Sequence, residues 1–408
     1  MGWKMPVKVL IVDDSNFFQH RLKDIISEHP ELHVVGIASN GLQAVELAEE
    51  LKPDVITMDF EMPVMDGVTA VKHILAKRRI PILMFSSLTY EGARITLDAL
   101  AAGAADFLAK DFAEVTRNPQ QLKRKLHDRI LALAGAKVYS SPSEKTSDQT
   151  NKPSVEKPES YSRTERSHSV SSNGSAPIGT TSVDPARTSL ANIKRANSPS
   201  NTSAGESDKS SSNTDNYQLK TQPQLLIVGA STGGPVALSE VLTQLPANFP
   251  LPIVLVQHMP ENFTKAFAER LNKQCKIRVR EAVDGDHLEA GLALLAPGGK
   301  QLLVDRRNNS VRIRPDDKRV NYKPSLDITF GSAANTYGDK VLGVVLTGMG
   351  SDGCQGARLL KEAGSVIWSQ DEASCVIYGM PAAVARAGLT DKVLSLKEIG
   401  PRLVREVM

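Results

Sequence analysis

Leu225-Leu-Ile-Val-Gly-Ala-Ser-Thr-Gly-Gly-Pro235 is a β-branched, apolar run that stops abruptly at a serine held among small residues. The run is too short and too uniformly apolar for an amphipathic helix, and it reads as a buried strand of a parallel sheet. Gly229, Gly233 and Gly234 allow a sharp strand-to-helix turn beyond it. The backbone N–H groups that open the following helix can stabilise negative charge beside the Ser231 hydroxyl. A Gly-rich turn around one serine is a weak motif, so the remainder of the chain has to supply a base, an orienting acid and a reason for the chemistry.

The strand pattern extends outward in both directions. Ile253 to Val256 and Val341 to Leu346 are further buried parallel strands, and Leu292 to Ile313, with Pro-Gly-Gly and Asn-Asn turn signals, suggests an antiparallel excursion between them. Near the N-terminus Val7 to Val12, Val34 to Ala38, Val55 to Met58, Ile80 to Phe85 and Asp106 to Leu108 alternate with amphipathic stretches. Five such βα units predict a doubly wound parallel sheet. From about Ser140 to Gln222 the chain is Ser, Thr, Asn, Lys and Pro, with Tyr161 and Tyr217 its only aromatics, a composition that cannot bury a core. The expected organisation is two α/β domains, residues 1–138 and 223–408, joined by a disordered linker at 139–222.

At 408 residues, 41% of them hydrophobic, the chain is long enough for two cores. Its 49 basic and 46 acidic residues leave a net charge of +3, too balanced for a nucleic-acid binder. Cys275, Cys354 and Cys375 lack metal-ligand or disulfide spacing, and reduced thiols in a cytoplasmic protein are expected. Val7 to Val12 runs directly into Asp13-Asp14, and no stretch approaches 18 apolar residues, so neither export nor membrane insertion is expected.

In the N-terminal sheet three acids fall at C-terminal strand ends, where open α/β sheets bind ligands. Asp13 and Asp14 end the first strand and Asp59 the third, a gathering of carboxylates that calls for a hard cation such as Mg²⁺. Ser86 and Lys110 follow the fourth and fifth strands. Acids at strand ends are often only helix caps, but this joint placement could hold a phosphoryl group on a carboxylate. The constellation resembles the receiver domain of bacterial response regulators, across about residues 5 to 130. The resemblance implies that a histidine kinase phosphorylates Asp59, that Asp13 and Asp14 bind Mg²⁺ with Asp59 and the Glu61 backbone carbonyl, and that Ser86 and Lys110 contact the phosphoryl group. Met58-Asp-Phe-Glu-Met-Pro-Val-Met-Asp-Gly67 fits that family's acceptor loop, while Asp111 stands where a proline is common.

A serine nucleophile needs a base, normally histidine. In the C-terminal half His287 lies in a polar turn, whereas His258 follows Ile253-Val-Leu-Val-Gln257 directly and shares with Ser231 a place at a strand end. Val341-Leu-Gly-Val-Val-Leu-Thr-Gly-Met-Gly-Ser-Asp-Gly353 supplies Asp352 at the head of a helix, where it could be a simple N-cap or the acid that orients His258. Amides after Ser231, at Thr232, and in the turn at Met349 and Gly350 are oxyanion-hole candidates. The order Ser, His, Asp departs from the Ser, Asp, His order of α/β-hydrolases.

These segments, with Gln370 to Pro381 and Asn321-Tyr-Lys-Pro-Ser-Leu-Asp327, resemble the catalytic domain of the chemotaxis protein-glutamate methylesterases over most of residues 223 to 408. The resemblance implies hydrolysis of γ-glutamyl methyl esters, and deamidation of certain glutamines, on chemoreceptors (methyl-accepting chemotaxis proteins). It implies no cofactor for the esterase step, control by receiver phosphorylation, and a cytoplasmic monomer. A binding-only output is disfavoured by the near-neutral charge and the intact Ser, His and Asp. A dinucleotide site fails because G-x-x-x-G-G is not G-x-G-x-x-G.

Overall fold

The computed structural model describes residues 5–110, 119–135, 221–305, 307–315 and 320–408. The expected linker therefore lies outside the described residues, apart from Thr221 and Gln222, as does Asp111.

The N-terminal sheet is built from β1 (Val7–Val12), β2 (Leu32–Ala38), β3 (Val55–Asp59), β4 (Ile82–Ser86) and β5 (Asp106–Ala109), all parallel, in the order β2-β1-β3-β4-β5. Helices α1 (Asn16–Ser27), α2 (Gly41–Leu51), α3 (Gly67–Lys77), α4 (Tyr90–Ala101) and α5 (Pro119–Gly135) complete this half. β3 and β4 are buried throughout because both sheet faces are covered, which is why they read as continuous apolar runs.

The C-terminal sheet has seven strands in the order β14-β13-β12-β6-β7-β9-β8. They are β6 (Leu225–Ala230), β7 (Ile253–Gln257), β8 (Arg278–Glu281), β9 (Leu292–Leu295), β12 (Val341–Val345), β13 (Val366–Gln370) and β14 (Lys392–Leu394), every pair parallel. The antiparallel excursion is narrower than expected: only β10 (Gln301–Asp305) and β11 (Ser310–Arg314) form a hairpin. Leu292–Leu295 instead lies parallel to β7, because its four residues are all buried and fit the sheet interior better than a half-solvated ribbon. Helices α6 (Gly234–Thr243), α7 (Glu261–Gln274), α8 (Leu326–Tyr337), α9 (Cys354–Glu362), α10 (Met380–Arg386) and α11 (Leu396–Val407) pack around it.

The order of β7, β6 and β12 positions the candidate site. β6 is central, with β7 on one side and β12 on the other, so the residues leaving these three strands emerge at one sheet edge. No helix among the described residues is long and apolar enough to cross a membrane.

Candidate active site

Ser231 follows β6, and Ala230 pairs with Gln257 in the last register position of β6 and β7. His258 N donates to Ala230 O at 3.2 Å, so Ser231 and His258 leave neighbouring strand ends. On the other side Ser231 N donates to Thr347 O at 3.0 Å. Gly348 stands so close that a Cβ there would lie 2.9 Å from Ser231 Cβ, which excludes any larger residue. The turn after Ser231 depends on Gly233 at φ +77°, beyond which α6 begins. The backbone carbonyls of the turn are occupied: Ser231 O by Gln257 Nε2 at 2.9 Å and Thr232 O by Thr347 Oγ1 at 3.0 Å. The amides of Thr232, Met349 and Gly350 form no hydrogen bond among the described residues, as oxyanion donors must before substrate arrives.

His258 Nε2 lies 2.7 Å from Asp352 Oδ2. Asp352 also accepts from Ser325 Oγ at 2.8 Å and from the amides of Leu326 at 2.7 Å and Asp327 at 3.1 Å, at the start of α8. Burial pushes the Asp352 carboxyl upward, but the His258 hydrogen bond and charge and these amides outweigh it and hold the group below the usual carboxylate range. An ionised Asp352 can only accept a hydrogen bond, so Nε2 carries the hydrogen and Nδ1 the lone pair. His258 Nδ1 is buried with no hydrogen-bond partner, and Ser231 Oγ forms none among the described residues. The alternative cap role of Asp352 is thus not separate from the imidazole: one carboxylate binds helix amides and ring together. His287 is exposed, as its polar turn predicts.

On the N-terminal sheet, ligand oxygens of Asp13, Asp14 and Asp59 lie within 4.8 Å of one another. Lys110 Nζ bridges Asp13 and Asp59 at 2.7 Å each. Burial pushes Asp59 up to about 6, against the opposing pull of Lys110. One ammonium among three carboxylates leaves excess negative charge, and an all-oxygen donor set of this kind fits a hard divalent cation. Glu61 and Asp14 are exposed and line the same depression. Ser86, at the end of β4, accepts from Thr96 Oγ1 at 2.6 Å and donates to Gly92 O at 3.2 Å, both in α4.

The two sheets meet at the Ser231 edge. Thr232 Oγ1 donates to Asp106 Oδ2 at 2.7 Å, and Arg129 of α5 pairs with the same carboxylate. Phe107 stacks on Phe263 of α7 with centroids 4.6 Å apart and planes at 7°. Asn262 Nδ2 donates to Leu88 O at 2.7 Å, Arg270 pairs with Asp98, and the Tyr90 hydroxyl donates to Glu269. The partners Ser325, Tyr322, Asp106 and α7 carry no local motif. Only the stretch Asn321 to Asp327, part of the family pattern, hinted at the first two.

By fold and site the chain is an α/β protein with an acidic, all-oxygen pocket at one parallel sheet and a hydroxyl, imidazole and carboxylate gathered at the edge of another. Residues 226–403 match the family described as CheB methylesterase, and residues 9–118 match the response regulator receiver domain. Protein-glutamate methylesterase/protein-glutamine glutaminase 1 of Saccharophagus degradans is 52% identical over 405 residues, 99% of this chain and 100% of that one. A protein of the same designation, numbered 2, from Pseudomonas savastanoi pv. phaseolicola is 54% identical over 400 residues, 98% of this chain and 99% of its own. The Thermotoga maritima CheB methylesterase catalytic domain is 39% identical and covers 45% of this chain and 99% of its own, with a TM-score of 0.43. The chain belongs to the CheB methylesterase family whose members carry an N-terminal receiver domain.

Proposed function

We propose that the chain hydrolyses glutamate γ-methyl esters, and deamidates glutamines, on chemoreceptors in the cytoplasm, using Ser231, His258 and Asp352 under control of phosphorylation at Asp59. The observation that carries the reading is the His258 ring, bonded through Nε2 to Asp352 and left with an unpartnered, buried Nδ1 beside the Ser231 strand end. Ser231 Oγ attacks the side-chain carbonyl as its proton passes to Nδ1, and the Thr232, Met349 and Gly350 amides are the available donors to the oxyanion. Asp352 stabilises the imidazolium. The proton is then delivered to methoxide, which leaves as methanol, or to the amide nitrogen, which leaves as ammonia. Water, deprotonated by the same nitrogen, releases glutamate from the acyl-enzyme.

Asp13, Asp14 and Asp59, with the Glu61 carbonyl, would hold Mg²⁺, which offsets the charge of a phosphoryl group being transferred to Asp59. Lys110 already touches Asp59, and Ser86 at the end of the next strand would offer its hydroxyl to the phosphoryl group. In the unphosphorylated state the receiver covers the Ser231 edge through Asp106, Phe107, α4 and α5. Phosphorylation raises activity by weakening that cover. Residues 1–138 would then be the receiver, 223–408 the esterase and 139–222 the tether between them.

Methanol release from methylated receptor membranes tests the assignment. Wild type is expected to release methanol, and Ser231→Ala to lose on the order of a thousandfold or more. Equal rates would remove the serine mechanism.

A further inference from the structure

The segment Asn321 to Asp327 has no role in the chemistry so far beyond the donors it supplies to Asp352. Its Tyr322 ring lies flat on the His258 imidazole, with centroids 4.3 Å apart and planes at 12°. The imidazole has a single hydrogen bond, at Nε2, because Nδ1 has no partner. One bond leaves the ring free to pivot about it, and a pivot carries Nδ1 out of line with Ser231. The Tyr322 face closes that movement on one side.

Tyr322 is itself fixed. Its carbonyl accepts from Gln301 Nε2 at 2.7 Å, and Gln301 Oε1 accepts from Ser325 N at 2.8 Å, so one buried amide clamps both ends of the turn. Immediately beyond, Ser325 Oγ and the amides of Leu326 and Asp327 grip Asp352. A single short segment thus orients the base by stacking and the acid by hydrogen bonding. At its far end the Tyr322 hydroxyl lies against the Gly350 turn, where a Cβ on Gly350 would stand 2.6 Å from it. The ring therefore spans from the imidazole to the turn whose amides are free.

We infer that Tyr322 is a positioning residue for the esterase reaction: its ring holds the His258 imidazole with Nδ1 toward Ser231, and its electron-rich face favours the imidazolium. That cation exists only while the Ser231 proton resides on Nδ1, from formation of the Oγ–carbonyl bond until cleavage of the bond to methoxide hands the proton on. An aromatic face attracts a cation more than a neutral ring, so the stack strengthens along the reaction coordinate. The inference rests on the assignment of Ser231 and His258 as nucleophile and base.

The test uses the full-length chain, methanol release over a range of methylated-receptor concentrations, and thermal melting of each variant. Tyr322→Phe keeps the ring face and is expected to retain kcat within about twofold, while Tyr322→Leu removes it and lowers kcat roughly 10- to 100-fold, with KM and melting midpoint little changed. If the leucine variant unfolds, Tyr322→Met gives the same comparison. Wild-type kcat in Tyr322→Leu, a change in KM alone, or an equal fall in Tyr322→Phe would each overturn the inference. Ser231→Ala run alongside separates the cases: activity surviving in it defeats the underlying assignment, whereas its loss together with an unaffected Tyr322→Leu defeats only the role of Tyr322.

Discussion

At Asp352 one carboxylate takes part in four hydrogen bonds, from His258, Ser325, Leu326 and Asp327. Replacing it by Asn keeps the shape but offers an amide where the imidazole needs an acceptor, which favours the wrong tautomer. Asp352→Asn is expected to lower kcat about 10³- to 10⁴-fold, read by methanol release, with receptor affinity retained. The cysteines point the other way. Burial, followed by the nearby Asp371 charge, pushes the Cys375 thiol up to about 12, so it stays protonated at neutral pH and is not a nucleophile. At pH 8 its alkylation by iodoacetamide should run roughly a thousandfold slower in the native chain than in the denatured one, because the raised value suppresses the thiolate fraction. Mass spectrometry of the labelled peptide would measure the ratio. Ser231, His258 and Asp352 were legible as residues because each follows an apolar run that ends at a strand terminus. Tyr322 and Ser325 were not assigned roles, since their partners lie far away in sequence and only the fold brings them together.

Among the elements, α7 joins the two halves. It begins three residues after His258 and presents Asn262, Phe263, Glu269 and Arg270 to the receiver. The Arg270–Asp98 pair and the Asn262 bond to Leu88 lie at the exposed rim of this contact, where single interactions contribute about 0.2–1 kcal/mol. Arg270→Ala combined with Asn262→Ala should therefore raise the methanol-release rate of the unphosphorylated chain roughly two- to fivefold, without altering the phosphorylated rate. No rise would show that these rim contacts do not hold the receiver over the cleft. The strands that carry the site were read correctly as buried and parallel, since Val, Ile and Leu fill them on both faces. In the region from Leu292 only the Asn308-Asn309 signal closes the hairpin of β10 and β11, whereas Pro297-Gly-Gly separates that hairpin from four apolar residues that join the main sheet. Nothing in the pattern of α7 marks its outer face as a contact surface, because Asn262, Glu269 and Arg270 look like ordinary solvated positions.

For the whole molecule the central claim is that the acidic pocket governs the cleft. The division into a receiver and an esterase was readable from alternating strands and helices on either side of a segment unable to bury a core. Their contact was not, because it depends on Asp106 and Phe107 meeting Thr232 and Phe263 across more than a hundred residues. Phosphorylation can raise the rate only as far as it changes the free energy of that contact, and couplings of this kind are commonly worth about 5- to 150-fold. The most direct measurement is methanol release by the full-length chain before and after treatment with a small-molecule phosphoryl donor and Mg²⁺, with Asp59→Asn treated in parallel. Wild type should accelerate by about tenfold or more while Asp59→Asn stays at its untreated rate. An unchanged rate in wild type whose Asp59 is verifiably phosphorylated would contradict the account.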